Sequence, residues 1–538
     1  MKTILTTIFV LLSFFSFSQI KETIVQMKTW ATPFIENYNA NQLIRVKDDS
    51  VLYSLRYSET SGKTMLYLKN NNRLKTIGSS SYWLANGTNI YYNAGKVGIG
   101  STSTPDSLFQ VTGGAKFTRD VVVNGVTVGN GRYNRTGNTI VGKNALSSIT
   151  NNINNTYNTA FGENALNKMT TATGNTAIGA GAMSESTTAG NNTAIGWFAL
   201  YYNSYGEYNT AVGSNTLGGN FPGKNNVAIG ASSAKGNKGD NNTYIGTFSG
   251  FTGGTQKNNT SVGYKSSYLL TNGYSNTAVG VSALYSNTTA SNLVAVGDSA
   301  LYSNVSGTGN TAVGSKALYN NTSGYSNTAV GSNALEKNSI NANNNTAIGS
   351  YAMWLNTTGY NNTALGRAAA YNGTTGYFNT AIGSEALWRN TTGDFNTAVG
   401  NGALYENNTG NSSVAIGRNA GRYLPDGSTP NGGAVENCIY IGALTKSLNT
   451  SQNNEIVLGY TATGKGSNTT TIGNTSTTDT YLYGNLSVSG SVLRVETTKT
   501  PSSATDTGNA GDICWDANYV YICVATNTWK RAELSTWP

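Results

Sequence analysis

The sequence predicts an all-β protein whose main part is an elongated parallel β-solenoid of 17-residue coils, with small β modules at both ends. Its middle repeats the phrase Asn-Thr-Ala-(Ile/Val)-Gly, and nearly every interval between successive phrases is 17 residues. So many glycines exclude amphipathic helices, because no apolar pattern with a 3.6-residue period survives them. At roughly 4.8 Å per coil, the stack spans about 80 Å. The glycines that end the phrases are Gly142, Gly162, Gly179, Gly196, Gly213, Gly230, Gly246, Gly263, Gly280, Gly297, Gly314, Gly331, Gly349, Gly366, Gly383, Gly400 and Gly417.

Composition narrows the chemistry that this chain can perform. Of its 538 residues only 11% are charged and none is histidine. Histidine-containing catalytic triads, histidine-ligated zinc and histidine pH switches are therefore excluded. The repeats contain scattered acidic residues without a column of paired carboxylates, so we expect no enzyme, no cofactor and no metal. The net charge of +9 is spread thinly without Lys/Arg runs, which argues against nucleic-acid binding.

Residues 1–18 have the pattern of a secretory signal peptide. Lys2 precedes an apolar stretch, Ile4 to Phe17, and the small residue Ser18 suits cleavage directly after it. We therefore expect a secreted or extracellular protein, either released or associated with the cell surface. No later stretch reaches 18 apolar residues, so we expect no transmembrane segment in the mature chain.

Composition and repeat pattern divide the rest of the chain into five regions. A small antiparallel β domain is predicted at 19–95, and a fibre connector follows at 96–135. The solenoid of 17-residue repeats covers 136–425, and degenerate coils with a further connector cover 426–490. A tip module rich in Trp and Tyr occupies 491–538.

Each position of the repeat has a physical preference. The residue before each glycine is apolar, and the residue two places earlier is Thr in 14 units and Val in three. In a strand these two side chains share one face, and a position that accepts Thr or Val favours β-branching. We expect this face to be core. The residue between them is Ala in 14 of 17 units, which suggests that another surface approaches the opposite face closely.

An asparagine lies four places before the glycine in 15 of the 17 units. Two explanations remain open for it. Stacked coils would join these side chains into a ladder of amide hydrogen bonds. Alternatively, each asparagine serves a turn through its tolerance of left-handed backbone angles.

An aromatic side chain recurs five residues after the glycine, and stacked coils would place successive rings about 5 Å apart. Such a ladder is either an exposed stripe that binds glycans or a structural stack packed between coils or chains. Trp515 and Trp529 of the tip module are further binding candidates, with the core of that small module as the alternative. The candidate binding residues of the column are Tyr285, Tyr302, Tyr319, Trp354, Tyr371, Trp388 and Tyr405.

Two of the three cysteines flank a short polar segment in the tip module. A hairpin turning at Asn518 and Tyr519 would bring Cys514 opposite Cys523, within reach of a disulfide. Two buried thiols are an equal alternative. A metal site would need more ligands than these two cysteines provide.

The coil phrase resembles a known repeat. Asn226–Gly230 and Ser413–Gly417 are similar to the head repeat of trimeric autotransporter adhesins, and residues 138–420 carry the resemblance. That family forms a left-handed parallel β-roll from three chains, so the resemblance implies a homotrimer with the small Ala columns at its interface. The flanking segments Gly95–Gly100 and Thr471–Asn474, like the tip module, resemble bacteriophage tail-fibre proteins.

These features lead to one expected function and two alternatives. We expect a secreted, fibrous, adhesin-like protein that attaches multivalently to a surface or glycan, including a host or biofilm component. The first alternative is a phage-type receptor-binding tail fibre. The second is a polysaccharide-active enzyme built on a solenoid, which would need clustered carboxylates on one face.

Overall fold

The structure is a computed structural model that describes residues 120–130, 137–150, 154–219, 222–489 and 500–536, together with the backbone of strands between residues 44 and 111. The chain forms two compact units, Met1–Thr118 and Arg119–Pro538. In these described ranges no helix is long and apolar enough to cross a membrane. The expected signal peptide lies outside the described residues.

The described strands of the first unit form three small sheets. They are β1 (Ile44–Lys47), β2 (Leu52–Ser58), β3 (Lys63–Tyr67), β4 (Trp83–Asn86), β5 (Asn89–Tyr92), β6 (Val97–Ile99) and β7 (Phe109–Val111). β1, β2 and β3 pair as an antiparallel meander, and β4 pairs antiparallel with β5. β6 and β7 pair in parallel.

The second unit contains a parallel β-solenoid, which confirms the predicted fold class. Its coil strands pair each with the next in parallel and make about 19 turns. Equivalent positions face each other, as Thr176 pairs with Thr193 and Ala177 with Ala194. The coil strands are β10 (Thr139–Gly142), β11 (Thr159–Phe161), β12 (Thr176–Ile178), β13 (Thr193–Ile195), β14 (Thr210–Val212), β15 (Val227–Ile229), β16 (Thr243–Ile245), β17 (Thr260–Val262), β18 (Thr277–Val279), β19 (Val294–Val296), β20 (Thr311–Val313), β21 (Thr328–Val330), β22 (Thr346–Ile348), β23 (Thr363–Leu365), β24 (Thr380–Ile382), β25 (Thr397–Val399), β26 (Val414–Ile416), β28 (Ile439–Ile441), β30 (Ile456–Leu458) and β31 (Thr470–Ile472).

Additional strands precede the coil ladder, lie between its last coils or follow it. They are β8 (Val121–Val123), β9 (Val126–Gly129), β27 (Val435–Glu436), β29 (Gln452–Asn453), β32 (Ile513–Trp515), β33 (Tyr519–Ala525) and β34 (Thr528–Glu533). β8 and β9 form an antiparallel hairpin, and β9 pairs antiparallel with β10. β27 and β29 form a second short parallel pair. β32, β33 and β34 form the antiparallel sheet of the tip module.

The interior of the coils is built from small side chains. Ala177 and Ala194 are fully buried, whereas Ile195 and Ile348 on the other face of the strands are 37% and 39% exposed. The expectation that the Thr and Ile/Val face forms the core was therefore wrong, and the Ala columns face the inside of the coil rather than another chain. Longer side chains such as Met183 and Leu200 fill the interior in one buried cluster with these Ala residues, so the β-branched residues stay outside.

The marker glycines are required by the close approach of successive coils. From Gly162 to Gly459 their φ angles lie between +125° and +139°, a region that residues with a side chain rarely adopt. A Cβ atom on Gly280 would lie 2.3 Å from the carbonyl oxygen of Gly297 in the next coil. Each glycine therefore ends its strand and lets the following backbone pack directly against it.

The asparagines four places before the glycines form a buried ladder, which decides between the two explanations. The Oδ1 atom of Asn327 accepts the N–H of Asn345 at 3.0 Å, and its Nδ2 donates to Asn310 at 3.2 Å. That Nδ2 also donates to the carbonyl of Ala342 at 2.8 Å. The left-handed backbone angle belongs to the preceding residue, Ser326, with φ of +55°. The ladder therefore satisfies polar groups that burial would otherwise leave unpaired.

A second buried asparagine column was missed in the sequence. It lies seven places after the marker glycine. Its side chains donate from coil to coil, from Asn321 to Asn304 at 2.8 Å and from Asn338 to Asn321 at 2.8 Å. Asn304 also donates to the carbonyl of Gly307 at 3.0 Å, so the same side chains hold the loops of their own coils.

Candidate functional site

The aromatic column five residues after the glycines forms two stacks of parallel rings. In the first stack the ring centroids are 4.9 to 5.1 Å apart and neighbouring planes lie within 12°. In the second stack the centroids are 5.0 to 5.5 Å apart. The first stack contains Phe251, Tyr268, Tyr285, Tyr302 and Tyr319, and the second contains Trp354, Tyr371, Trp388 and Tyr405.

Charged residues of the same column separate the stacks and close both outer ends. Glu336 stands between the stacks and accepts the Nε1–H of Trp354 at 2.7 Å. The ammonium of Lys235 lies 5.8 Å from the centre of the Phe251 ring, and the guanidinium of Arg422 lies 3.9 Å from that of Tyr405. A cation over a ring face is favourable, so these residues cover the faces that the last rings leave open. The aromatic rings were predicted from the sequence, whereas these charged residues were not.

All nine rings are half-buried at the surface of the solenoid. Because each face lies against a neighbouring ring or a charged group, the column presents mainly ring edges and phenol hydroxyls to solvent. Burial raises the pKa of Tyr302, with smaller contributions from Tyr285 and Tyr319. Burial also raises the pKa of Tyr405. Neutral phenol hydroxyls can both donate and accept hydrogen bonds.

The two tryptophans of the tip module have different environments. Trp529 on β34 is buried, and its Nε1 donates to the backbone carbonyl of Asp506 at 3.0 Å. It packs in one cluster with Cys514, Tyr521 and Cys523, so it forms part of the core of the module. Trp515 at the end of β32 is half-buried and keeps part of its ring at the surface.

Cys514 and Cys523 are buried thiols rather than the two halves of a disulfide. In the hairpin Cys514 pairs with Tyr521, because the turn is centred on Ala517 and Asn518. The turn expected from the sequence lay one residue later and would have placed the two cysteines opposite each other. In this register the two cysteines do not face each other, and the structure has them as the buried thiols of the alternative.

A second aromatic cluster, which the sequence analysis missed, lies at one corner of three successive coils. Tyr360 stacks on Tyr377 with centroids 5.0 Å apart, and Phe378 stacks on Phe395 at 5.4 Å. Edge contacts at 5.4 to 5.8 Å join the two pairs. The signal in the sequence was Phe378 and Phe395, two aromatic residues at a position where most coils have Asn, Ser or Gly. We call these four residues the corner patch.

One buried carboxylate lies near the end of the solenoid. Glu455 accepts the hydroxyl of Tyr440 at 2.8 Å, the hydroxyl of Ser447 at 3.2 Å and the N–H of Gly466 at 2.8 Å. These donors satisfy the carboxylate inside the fold. Within the described ranges, no group of three or more cysteine or acidic side chains is placed to hold a metal ion.

No known protein-family model matches the chain. Over 48 residues, 9% of this chain, it is 46% identical to "Depolymerase 1, capsule K30/K69-specific" of Klebsiella phage K5-2. It is 48% identical, again over 48 residues, to "Depolymerase, capsule K30/K69-specific" of Klebsiella phage K64-1. The match spans only 6% of each relative.

This similarity corrects one expectation and supports another. The prediction that the chain is not an enzyme was wrong on this comparison, because both similar proteins are named for a depolymerase activity. The β-solenoid and the short similarity together fit a fibrous phage-type protein. The resemblance to trimeric autotransporter adhesins rests on the coil phrase alone.

Proposed function

We propose that this chain is an exported fibre protein that binds polysaccharide along the side of its solenoid. The observation that carries the proposal is the column of nine half-buried aromatic rings, held one coil apart in two stacks. A polysaccharide chain also repeats along its length. A regular column of side chains can therefore make many weak contacts with one polymer, and their sum gives useful avidity.

The phenol hydroxyls supply the polar part of this recognition. In the described part of the chain, no hydrogen bond engages the hydroxyls of Tyr285, Tyr302 or Tyr319, so these groups can bind sugar hydroxyls. The rings are already fixed by stacking on their neighbours. Binding therefore requires little further loss of side-chain freedom, which improves affinity for a given number of contacts.

We also propose that three chains associate through the outward face of the coil strands. In the regular coils its two columns contain Thr or Val and Ile, Val, Leu or Phe, without a charged residue. An exposed apolar surface of this length is a typical site of protein association. Ile195→Lys combined with Ile348→Lys should dissociate the trimer, because the two ammonium groups would be buried at the interface. A monomer mass for the unsubstituted chain in light scattering would refute the trimer.

The names of the similar phage proteins favour a second candidate function, the depolymerisation of a capsular polysaccharide. Purified K30 and K69 capsule polysaccharides test both candidates. A new reducing end after incubation would establish cleavage, whereas retention of the polymer without cleavage would establish binding alone. Export follows from the expected signal peptide, and secretion of the tagged full chain by a bacterial host would test it.

Substitutions within the stacks test the main proposal. We expect Tyr285→Leu with Tyr302→Leu to weaken retention of a bound polysaccharide by about tenfold in affinity electrophoresis, because both ring and hydroxyl are lost. The matched control is Tyr285→Phe with Tyr302→Phe, which keeps the stack as Phe251 does naturally. If that control also weakens binding, the hydroxyls carry the recognition. Unchanged retention in the leucine variant would return the column to a structural role.

A further inference from the structure

We propose that the corner patch is a binding site for neutral hexopyranose units, with Phe395 as its main stacking surface. This inference rests on the proposed polysaccharide binding and names a second site for it. The patch consists of Tyr360, Tyr377, Phe378 and Phe395, which contact one another through two stacked pairs and edge contacts. The four residues of the corner patch lie five or six places before the marker glycines, whereas the aromatic column lies five places after them.

The first observation is that two of these aromatics occupy a backbone conformation that bulky residues rarely adopt. The residue five places before the glycine has a positive φ in every regular coil, and Phe378 and Phe395 have φ of +54° and +58°. In thirteen of the seventeen regular coils this position is Asn, Ser or Gly, which tolerate such angles. Strain of this kind tends to persist where function requires it.

The second observation is that the strained rings remain in solvent. Phe378 and Phe395 are 47% and 53% exposed, so burial does not offset the unfavourable backbone conformation. In a packed core an aromatic ring stabilises the fold through the area it removes from water. Here two phenylalanines keep about half of their surface exposed at a corner where asparagine would be more favourable. A strained, exposed ring also occurs singly at Tyr208, but Phe378 and Phe395 belong to a cluster of four aromatic rings, and contact with a ligand accounts for that cluster.

The third observation concerns the open face of Phe395. Its ring plane lies 6° from that of Phe378, so the outer face of Phe395 is directed along the stack toward the next coil. The corresponding residue of that coil is Ser412, whose side chain is too small to cover a ring. The apolar face of a pyranose ring can stack there, as aromatic rings do with one another.

Charge beside the patch selects the class of sugar. The carboxylate of Asp394 accepts the backbone N–H of Tyr377 at 2.9 Å, and its hydrogen bond with the Tyr377 side chain raises the pKa of that phenol. A carboxylate at this edge can accept hydrogen bonds from sugar hydroxyls. It also repels uronic acids and sulfated sugars, because like charges close together are unfavourable. The site therefore fits neutral hexopyranoses.

The decisive variant is Phe378→Asn with Phe395→Asn, tested by affinity electrophoresis with soluble dextran, laminarin and galactomannan. We expect the affinity for a retained neutral polymer to fall by about tenfold or more. The melting temperature should stay the same or rise, because asparagine suits this backbone angle. A residue that served only the fold would show the opposite behaviour, with lost stability and unchanged binding.

Two controls separate this site from the aromatic column. Tyr208→Asn makes the same kind of change at the same position of another coil, where the aromatic residue is 60% exposed outside the corner patch, and should leave binding unchanged. Phe395→Tyr keeps the stacking face and should retain binding. Asp394→Asn should admit alginate, an acidic polymer that the unsubstituted chain excludes.

Each result has a defined meaning. Suppose that Phe378→Asn with Phe395→Asn still binds a neutral polymer as before, while the leucine variant of Tyr285 and Tyr302 binds it more weakly. This result would overturn the corner site and keep the proposed function. A fall in melting temperature of the asparagine variant would also overturn it, because the rings would then support the fold. If the unsubstituted chain retains none of the neutral polymers, the corner site is refuted, and binding of capsule polysaccharide alone would leave the proposed function standing.

Discussion

Inside one coil, the ring of Tyr244 fills the space that a side chain at position 250 would otherwise occupy. Tyr244 occupies a position that is Ala in most coils, and it is fully buried. Gly250 occupies the position four residues after the glycine, where Leu284 and Leu301 fill the interior of other coils. A Cβ atom on Gly250 would lie 2.3 Å from the Cε1 atom of the Tyr244 ring. The large and the small residue have therefore exchanged places across the interior.

This exchange predicts a rescue. Tyr244→Ala should lower the free energy of unfolding by about 3 to 5 kcal/mol, because it leaves a cavity in the coil. Adding Gly250→Leu creates the Ala and Leu pair of other coils, such as Ala278 with Leu284, and should recover at least half of the loss. Denaturant unfolding of both variants measures this. Gly250→Leu alone should destabilise the protein, and additive losses in the double variant would contradict the exchange.

The same substitution at two glycines should have opposite consequences. Gly280→Asn places a side chain against the backbone of Gly297 and should cost about 3 kcal/mol of stability. Gly309→Asn is the matched control, because a Cβ atom there has no neighbour closer than 3.6 Å and other coils already carry asparagine at this position. We expect its melting temperature to stay the same or rise. Equal losses in both variants would exclude the coil contact as the cause.

The buried asparagine ladder makes a prediction in both directions. Asn327→Ala removes the acceptor for Asn345 and the donor to Asn310, and it should cost about 3 kcal/mol in chemical unfolding, because buried polar groups lose their partners. Leu293 interrupts the ladder in another coil. Leu293→Asn should be close to neutral or stabilising, since Asn276 already accepts the N–H of residue 293 at 3.0 Å. A large loss in that variant would show that the ladder does not set the preference.

The tip module should lose stability at both extremes of pH. The hydroxyl of Tyr521 donates to Asp516 at 2.7 Å, which lowers the pKa of Asp516 and raises the pKa of Tyr521. The stability that this hydrogen bond gives the module is complete at pH values above 3.8, the ordinary carboxyl pKa. It is lost as the pH falls through the lowered pKa of Asp516. At the alkaline end, the same stability is complete at pH values below 10.0, the ordinary pKa of a phenol. It is lost as the pH rises through the raised pKa of Tyr521.

The fluorescence of buried Trp529 can follow this behaviour during unfolding. Tyr521→Phe removes the hydrogen bond and should flatten the dependence of the module's stability on pH at both ends. Asp516→Asn should flatten the acid end while retaining an acceptor for the phenol. An unaltered pH profile in Tyr521→Phe would exclude this pair as its origin.

The repeat allowed the fold to be predicted, but it did not show which face of the strand lies inside. A period of two separates Thr and Ile from Ala without saying which side is core. Hydrophobicity favoured the Ile side, yet Ala177 is buried and Ile195 is 37% exposed. The deciding factor is what fills the inside of the coil, where Leu200 packs in one buried cluster with Ala177 and Ala194. A single unit of sequence does not show that the residue four places after the glycine packs against the Ala positions.

The candidate site was predictable to a similar extent. A fixed spacing in the sequence placed the rings of Tyr285 and Tyr302 one above the other, and the structure has them 4.9 Å apart. The corner patch was missed because its residues are aromatic in only a few coils, so no periodic signal marks them. The cysteine pairing depends on a local detail of the hairpin. One residue in the position of the turn decides whether Cys514 faces Cys523 or Tyr521.

The hairpin of β8 and β9 has a consequence for how copies of this chain behave in solution. A stack of parallel coils ends in a strand with unpaired backbone groups, which is a template for adding another chain. The antiparallel pairing of β9 with β10 occupies that edge at the first coil. Another chain adding at this end would meet the short antiparallel strand β8 instead of β10, so we expect the hairpin to disfavour end-to-end growth of a repetitive sequence with few charges.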